Sequence, residues 1–280
     1  KIPVIFLQDG LFVDEIQYNV SVYGFAKFLR ARFLSKYFTK NMLADNSDFI
    51  FTWSDAGFYD YLCRINIPLS KIKILGYPYV PQNTLIYEPK DSLNILIVHS
   101  PLEPRFASKK WENNLWPELI KLFDNLQHSL TIKPHPRVGF LEFHKLIMET
   151  QRQGIGEKLY LADRNISAEN LYDDNDIVIT FFSAAAFDAL FRGIPVIFMK
   201  SEYNNVSLLE ELALKNDIIL IDNINEISEI LTRINSDSDY RQDIIQRGYQ
   251  VAVRLAGKLN VFNKNFATEI HNILNLNDKT

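Results

Sequence analysis

Ser129-Leu130-Thr131-Ile132-Lys133-Pro134-His135-Pro136-Arg137 is a short apolar run closed by two prolines, and residues 139–153 after it read as a helix. A short buried strand leading into a helix is one βα unit, and the pattern recurs on both sides. Downstream come strand 159–162, short helix 167–172, strand 177–180, helix 184–191, strand 195–199, helix 208–214, strand 218–221 and helix 224–234. Upstream lie strand 94–99 and helix 112–125. Strands alternating with helices predict a parallel sheet wrapped on both faces, a complete doubly wound domain.

The N-terminal part repeats the rhythm. Strand 2–7 is apolar almost throughout and ends at Gln8-Asp9-Gly10, as a strand buried on both faces does. Residues 18–37 place Val22, Phe25, Ala26, Leu29 and Phe33 at helical spacing, with Lys27, Arg30, Arg32 and Lys36 between them. Strand 48–53, helix 56–65 and strand 71–75 follow, closed by Gly76-Tyr77-Pro78. Pro78, Pro81 and Pro89 interrupt 78–93, which reads as a linker. The fold expected is α/β with two Rossmann-like doubly wound domains facing a cleft, 1–92 and 93–280. The opening directly on a strand without an initiator Met points to a first domain that is only partly present. Residues 240–275 read as long and helical, with bends at Gly248 and Gly257.

Composition narrows the function. A 280-residue chain with 47% apolar residues fills a sizeable core, and a net charge of -4 with 23% charged residues leaves no basic field to draw it to nucleic acid. The single Cys63 cannot form an internal disulfide and reads as a core thiol in a reducing compartment. No apolar run approaches the roughly 20 residues that span a bilayer, so the expected location is the cytoplasm.

In open α/β sheets ligands bind at the carboxyl ends of the strands, so the residues just past each strand carry the chemistry. Lys133, His135 and Arg137 leave three cationic or hydrogen-bonding side chains on a loop stiffened by Pro134 and Pro136, which suits a phosphate better than a plain proline turn. Ser183, after Thr180-Phe181-Phe182, can cap the helix that Ala184-Ala185-Ala186 begins, whose free N–H groups favour an anion; taken alone, a capped helix packed through alanines is the simpler reading, but beside the basic loop on the same sheet edge phosphate or carboxylate binding is the expectation. Ser100 and Arg105 follow strand 94–99, with a structural loop as an equal alternative. Asp9 stands at a strand end before Gly10, with a plain Asp-Gly turn as the competitor. Asp174-Asn175-Asp176 precedes its strand and belongs to the wrong sheet edge, and His128, His144 and His271 are isolated, so no metal is assigned. Gly-rich dinucleotide loops, Walker loops and Gly-x-Ser-x-Gly elbows are absent from the sequence.

Lys133-Pro134-His135-Pro136, the run 177–183 and the run 189–198 resemble the C-terminal domain of bacterial surface-polysaccharide GT-B transferases. That group includes sialyltransferases, capsule-type Kdo transferases and CDP-glycerol glycerophosphotransferases. The resemblance covers about residues 94–275 and extends loosely over 1–92. It implies a donor-binding domain at 93–280, an acceptor-side domain at 1–92, and a nucleotide-activated sugar, such as a CMP-activated sialic acid or Kdo, as substrate rather than cofactor. His135 and Ser183 then take the family's phosphate-contacting roles. Gln8-Asp9-Gly10 is similar to the acidic-acidic-Gly motif that supplies the catalytic carboxylate, with Gln8 in place of the first acid. The expected acceptor is a glycan or lipid-linked glycan, with a peripheral membrane contact through the basic face of 18–37. The rival readings are a CDP-glycerol glycerophosphotransferase, a UDP-sugar 2-epimerase and a non-catalytic module of the same fold.

Overall fold

The computed structural model describes residues 5–7, 48–55, 67–78, 90–99, 109–134, 140–163, 165–181, 183, 185–200 and 212–277. The chain divides into two units, 1–80 with 250–280, and 81–249.

In the first unit β1 (Ile5–Leu7), β2 (Phe49–Thr52) and β3 (Ile72–Ile74) form a parallel sheet in the order β1-β2-β3. The helices expected at 18–37 and 56–65 lie outside the described residues.

In the second unit β4 (Asn94–Val98), β5 (Ser129–Lys133), β6 (Leu159–Leu161), β7 (Ile177–Thr180), β8 (Val196–Met199) and β9 (Ile219–Ile221) make a six-stranded sheet ordered β6-β5-β4-β7-β8-β9, every pair parallel. The chain starts in the middle, winds outward through β5 and β6, then returns to the other side of β4, the doubly wound topology expected. The connecting helices are α1 (Lys109–Asn125), α2 (Phe140–Arg152), α3 (Ala185–Phe191) and α4 (Glu226–Ser236). The short helix expected at 167–172 is a 3-10 helix over Ala168–Asp174.

β-branched residues explain why the middle strands sit where they do. Every residue of β7 and β8 is buried, which suits Ile and Val on a pleated surface covered from both sides. Alternation sends Ile95, Ile97, Ile132, Ile177 and Ile179 to one face, where they join Trp116, Leu119 and Phe123 of α1, Phe143 of α2 and Leu231 of α4 in one core cluster. Each such side chain gains about 1.5–3 kcal/mol on leaving water.

The C-terminal segment keeps the bend expected at Gly257 and departs from the rest of its reading. Residues 240–275 form two helices, α5 (Ser238–Ala256) and α6 (Phe262–Asn277), and the break falls at Gly257, whose φ of +91° only glycine holds without strain. Gly248 is no bend: it lies inside α5, where a Cβ would come within 2.5 Å of Leu190 Cδ2, so its lack of a side chain lets helix and core approach closely. Nor do residues 250–280 continue the second unit as the 93–280 boundary has it. Ile273 packs on Phe51 and Leu75, and Phe266 sets its ring 5.8 Å from that of Phe51, so α6 belongs with the β1-β2-β3 sheet.

Candidate functional site

The switch point of the second sheet lies between β4 and β7, where the outward windings to the two sides part. Their carboxyl ends diverge into different connections, and a crevice at that edge is where a ligand meets backbone and strand-end side chains. Register lines the ends up. Val98 pairs with Lys133 on one side and Thr180 on the other, so the three stand in a row on one face of the sheet. Neighbouring strands run about 4.8 Å apart, which places Lys133 and Thr180 about 10 Å from each other across Val98.

Lys133 is 5% exposed, and its Nζ donates to the Pro134 carbonyl oxygen at 3.3 Å. An ammonium group is costly to bury, and a cation already placed at this edge interacts strongly with any anion that joins it. Thr180 turns its hydroxyl onto the sheet, donating to the Val98 carbonyl at 3.0 Å, and so braces the row. Ser183 holds the turn beyond β7. Its Oγ accepts the Ala185 N–H at 3.2 Å and its carbonyl accepts the Ala186 N–H at 3.0 Å. That is the capping geometry read from the sequence, and a hydroxyl that accepts with a lone pair keeps its own proton to donate. The helix it begins has seven residues, so its dipole is weak.

Lys133 therefore ends one of the strands that flank β4, and Ser183 follows the other. Asp9, Ser100, Arg105, His135, Pro136 and Arg137 lie outside the described residues. His99, the last residue of the strand expected at 94–99, also belongs to this edge and has no role in the sequence analysis. It is the first residue past β4, is 2% exposed, and donates its backbone N–H to the Lys133 carbonyl at 3.0 Å, extending the β4–β5 ladder by one rung. Its signal was positional: a histidine directly after a strand buried on both faces.

Behind α3, Tyr172 and Arg192 fix the helix that Ser183 caps. The fully buried Tyr172 donates its hydroxyl to the Ala185 carbonyl at 2.6 Å. Burial, reinforced by Asp188, pushes that phenol well above its ordinary range, so it stays a donor. Arg192, 3% exposed, pairs with Asp173 at 2.8 Å and Glu169 at 3.4 Å while its guanidinium lies 5.4 Å from the Tyr172 ring centroid.

The opposite, amino edge has different electrostatics. Asp176 there accepts the Asn94 N–H at 2.8 Å and the Lys90 ammonium at 2.7 Å, so this carboxylate ties the starts of β4 and β7 together. Among the described residues no group of three or more His, Cys, Asp or Glu is placed to hold a metal ion. A cavity of about 160 Å³ opens at this edge between Phe123, Asp124, His128, Gly154, Glu157 and Lys158. It receives the carboxyl ends of α1 and α2, which carry partial negative charge, together with two carboxylates. Its lysine already donates to the Gln127 carbonyl at 2.9 Å.

His128 supplies a test of this amino edge. Its Nδ1 accepts the Leu93 N–H at 3.3 Å, which requires a neutral ring, and burial followed by the Lys158 charge lowers its pKa. Folded His128 therefore protonates below the ordinary imidazole value of about 6.5, so in that window the unfolded chain binds more protons and stability falls as pH falls. Urea midpoints at pH 7.5 and pH 5 should differ more for the wild type than for His128→Gln. Equal differences would show that this ring does not couple to folding.

No protein-family model matches the chain, and no curated protein matches it. Similarity appears among solved structures. The chain superposes on TarM with a TM-score of 0.51 at 14% identity, covering 84% of itself and 45% of TarM. It superposes on Anabaena HepE, solved with UDP-glucose, with a TM-score of 0.57 at 13% identity, covering 96% of itself and 72% of HepE. It superposes on the Neisseria meningitidis UDP-GlcNAc 2-epimerase, solved with UDP-GlcNAc, with a TM-score of 0.56 at 15% identity, covering 98% of itself and 70% of that enzyme. The chain thus spans from under half to under three quarters of the length of these structures. Among the described residues no helix is long and apolar enough to cross a membrane. What these likenesses show is the fold: α/β with parallel, Rossmann-like sheets of the GT-B kind.

Proposed function

We propose that this chain is a GT-B glycosyltransferase that binds a nucleotide-activated sugar at the carboxyl edge of β4, β5 and β7 and passes the sugar to a growing surface glycan. The observation that carries the reading is the buried Lys133 at the switch-point edge, in register with Val98 and Thr180 and two strands from the Ser183 turn. Lys133, with His135 and Arg137, neutralises the leaving nucleotide phosphate, Ser183 donates to a phosphate or carboxylate oxygen, and Ser100 and Arg105 complete the nucleotide contacts. Cationic side chains do the work that a divalent ion does elsewhere, so transfer proceeds without a metal. Asp9 acts on the sugar, as base toward the acceptor hydroxyl or as nucleophile. The donor class proposed is a CMP-activated acidic sugar, sialic acid or Kdo, and the setting is the cytoplasm, with peripheral contact where the acceptor is lipid-linked.

Calorimetric titration with CMP, CDP, UDP and the matching nucleosides tests the site. Nucleotides should bind more tightly than nucleosides, and Lys133→Ala should weaken nucleotide binding about 10–100-fold, the worth of one charge-assisted hydrogen bond. Nucleoside and nucleotide binding equally, or an unchanged affinity in Lys133→Ala, would remove the phosphate role. Product analysis then separates the chemistries. Sugar transfer that requires an acceptor supports the proposal, whereas glycerophosphate transfer from CDP-glycerol, or epimerised sugar formed without an acceptor, replaces it with a rival on the same fold.

A further inference from the structure

We infer that His99 is a positioning residue that couples the two arms of this anion site, Lys133 on β5 and Ser183 beyond β7. The inference rests on the phosphate reading of the carboxyl edge and adds to it a residue that would touch no ligand.

The His99 ring is walled by aromatic side chains from three elements. Its centroid lies 5.1 Å from that of Phe143 on α2, 5.8 Å from Trp116 on α1 and 6.5 Å from Phe181 at the end of β7, all in edge-to-face arrangements. The walls touch one another too: Trp116 stands 5.0 Å from Phe143 and 6.4 Å from Phe181. Alternation explains the cluster. Val98, Lys133 and Thr180 share one face, so the next residues, His99 and Phe181, turn to the other, against α1 and α2. Phe181 lies two residues before Ser183, and the His99 backbone is bonded to Lys133. A shift of either arm must therefore move His99 or be resisted by it, since close-packed rings have no slack to absorb a displacement.

Chemistry gives a reason for histidine at this place. A phenylalanine would fill an aromatic box without burying polar atoms, whereas an imidazole adds that cost. Its polarised ring edge makes a stronger edge-to-face contact with electron-rich faces than a phenyl edge does, which gives the box a defined arrangement.

The test uses the full chain and CMP, CDP or UDP, whichever binds. Trp53→Phe and Trp111→Phe leave Trp116 as the single tryptophan of the three, and its emission should change saturably with added nucleotide. Lys133→Ala and Ser183→Ala, measured singly and together, form a double-mutant cycle. With His99 present the double variant should lose about fivefold less affinity than the product of the single losses, because the arms act as one unit. In His99→Phe and in the smaller His99→Leu, folded by their thermal transitions, the two losses should simply multiply. A purely structural role lowers stability but leaves that ratio alone. Binding that persists with the same coupling in both His99 variants overturns the inference while sparing the site. Wild-type protein that shows no phosphate-dependent binding overturns the site and the inference together.

Discussion

Gly257→Ala is expected to cost the first unit about 4 kcal/mol or more, a large share of the stability of an ordinary domain. Two effects add. The φ of +91° is strained for any residue with a side chain, worth about 1–2 kcal/mol. The new Cβ would also press on the Trp53 carbonyl oxygen and stand 3.3 Å from Gly76 Cα. That carbonyl accepts the Gly76 N–H at 2.9 Å, part of the rung that carries the ladder past β2 and β3. Backbone faces backbone here, so no side chain can swing aside to make room. Gly154→Ala is the control: its φ is also positive, at +73°, but a Cβ there meets nothing within 4 Å, so strain alone remains, about 1 kcal/mol. Chemical denaturation of both variants decides the matter, and equal losses would mean that crowding at Trp53 is not what holds position 257 to glycine.

Arg192→Met should destabilise the second unit by about 2–3 kcal/mol and weaken the proposed nucleotide binding indirectly. The guanidinium is 3% exposed and joins Asp173 and Glu169 to the end of α3. Both carboxylates are more than a third exposed and can return to water, which keeps the cost at the low end for a broken buried pair. The consequence for function runs through Tyr172, whose ring the guanidinium faces and whose hydroxyl holds the Ala185 carbonyl in the first turn behind Ser183. Tyr172→Phe, which removes that bond and keeps the ring, should cost about 1–2 kcal/mol. If Arg192→Met melts like the wild type, the 168–174 turn is held by packing and not by charge.

Much of the fold was legible in the chain itself. Strands 129–133 and 177–180 fall where the sequence places them, because short runs rich in Ile, Leu, Val and Thr and bounded by turn residues have few other stable fates. Alternation of such runs with helices dictates parallel pairing, since a parallel neighbour needs a crossover of that length. The strand-end rule then picked out Lys133 and Ser183 without coordinates, as both are local consequences of where β5 and β7 stop.

Other features exist only once distant segments meet. The apolar stripe of 262–277 announces a buried face but not its partner, and contact with Phe51 and Leu75 assigns it to the first sheet. Gly248 and Gly257 look alike in a helical sequence, yet one makes room for Leu190 and the other turns the chain, a difference set by neighbours far off in sequence. His99 shows the same limit at the candidate site: position marks it as a strand-end residue, but its box is built from Trp116, Phe143 and Phe181, 17, 44 and 82 residues away. Periodicity and turn chemistry act within a few residues, so the sequence determined the elements and which residues stand at the strand ends. Packing acts between elements, so tertiary structure alone decided which unit the last helix joins and which side chains surround the proposed anion site.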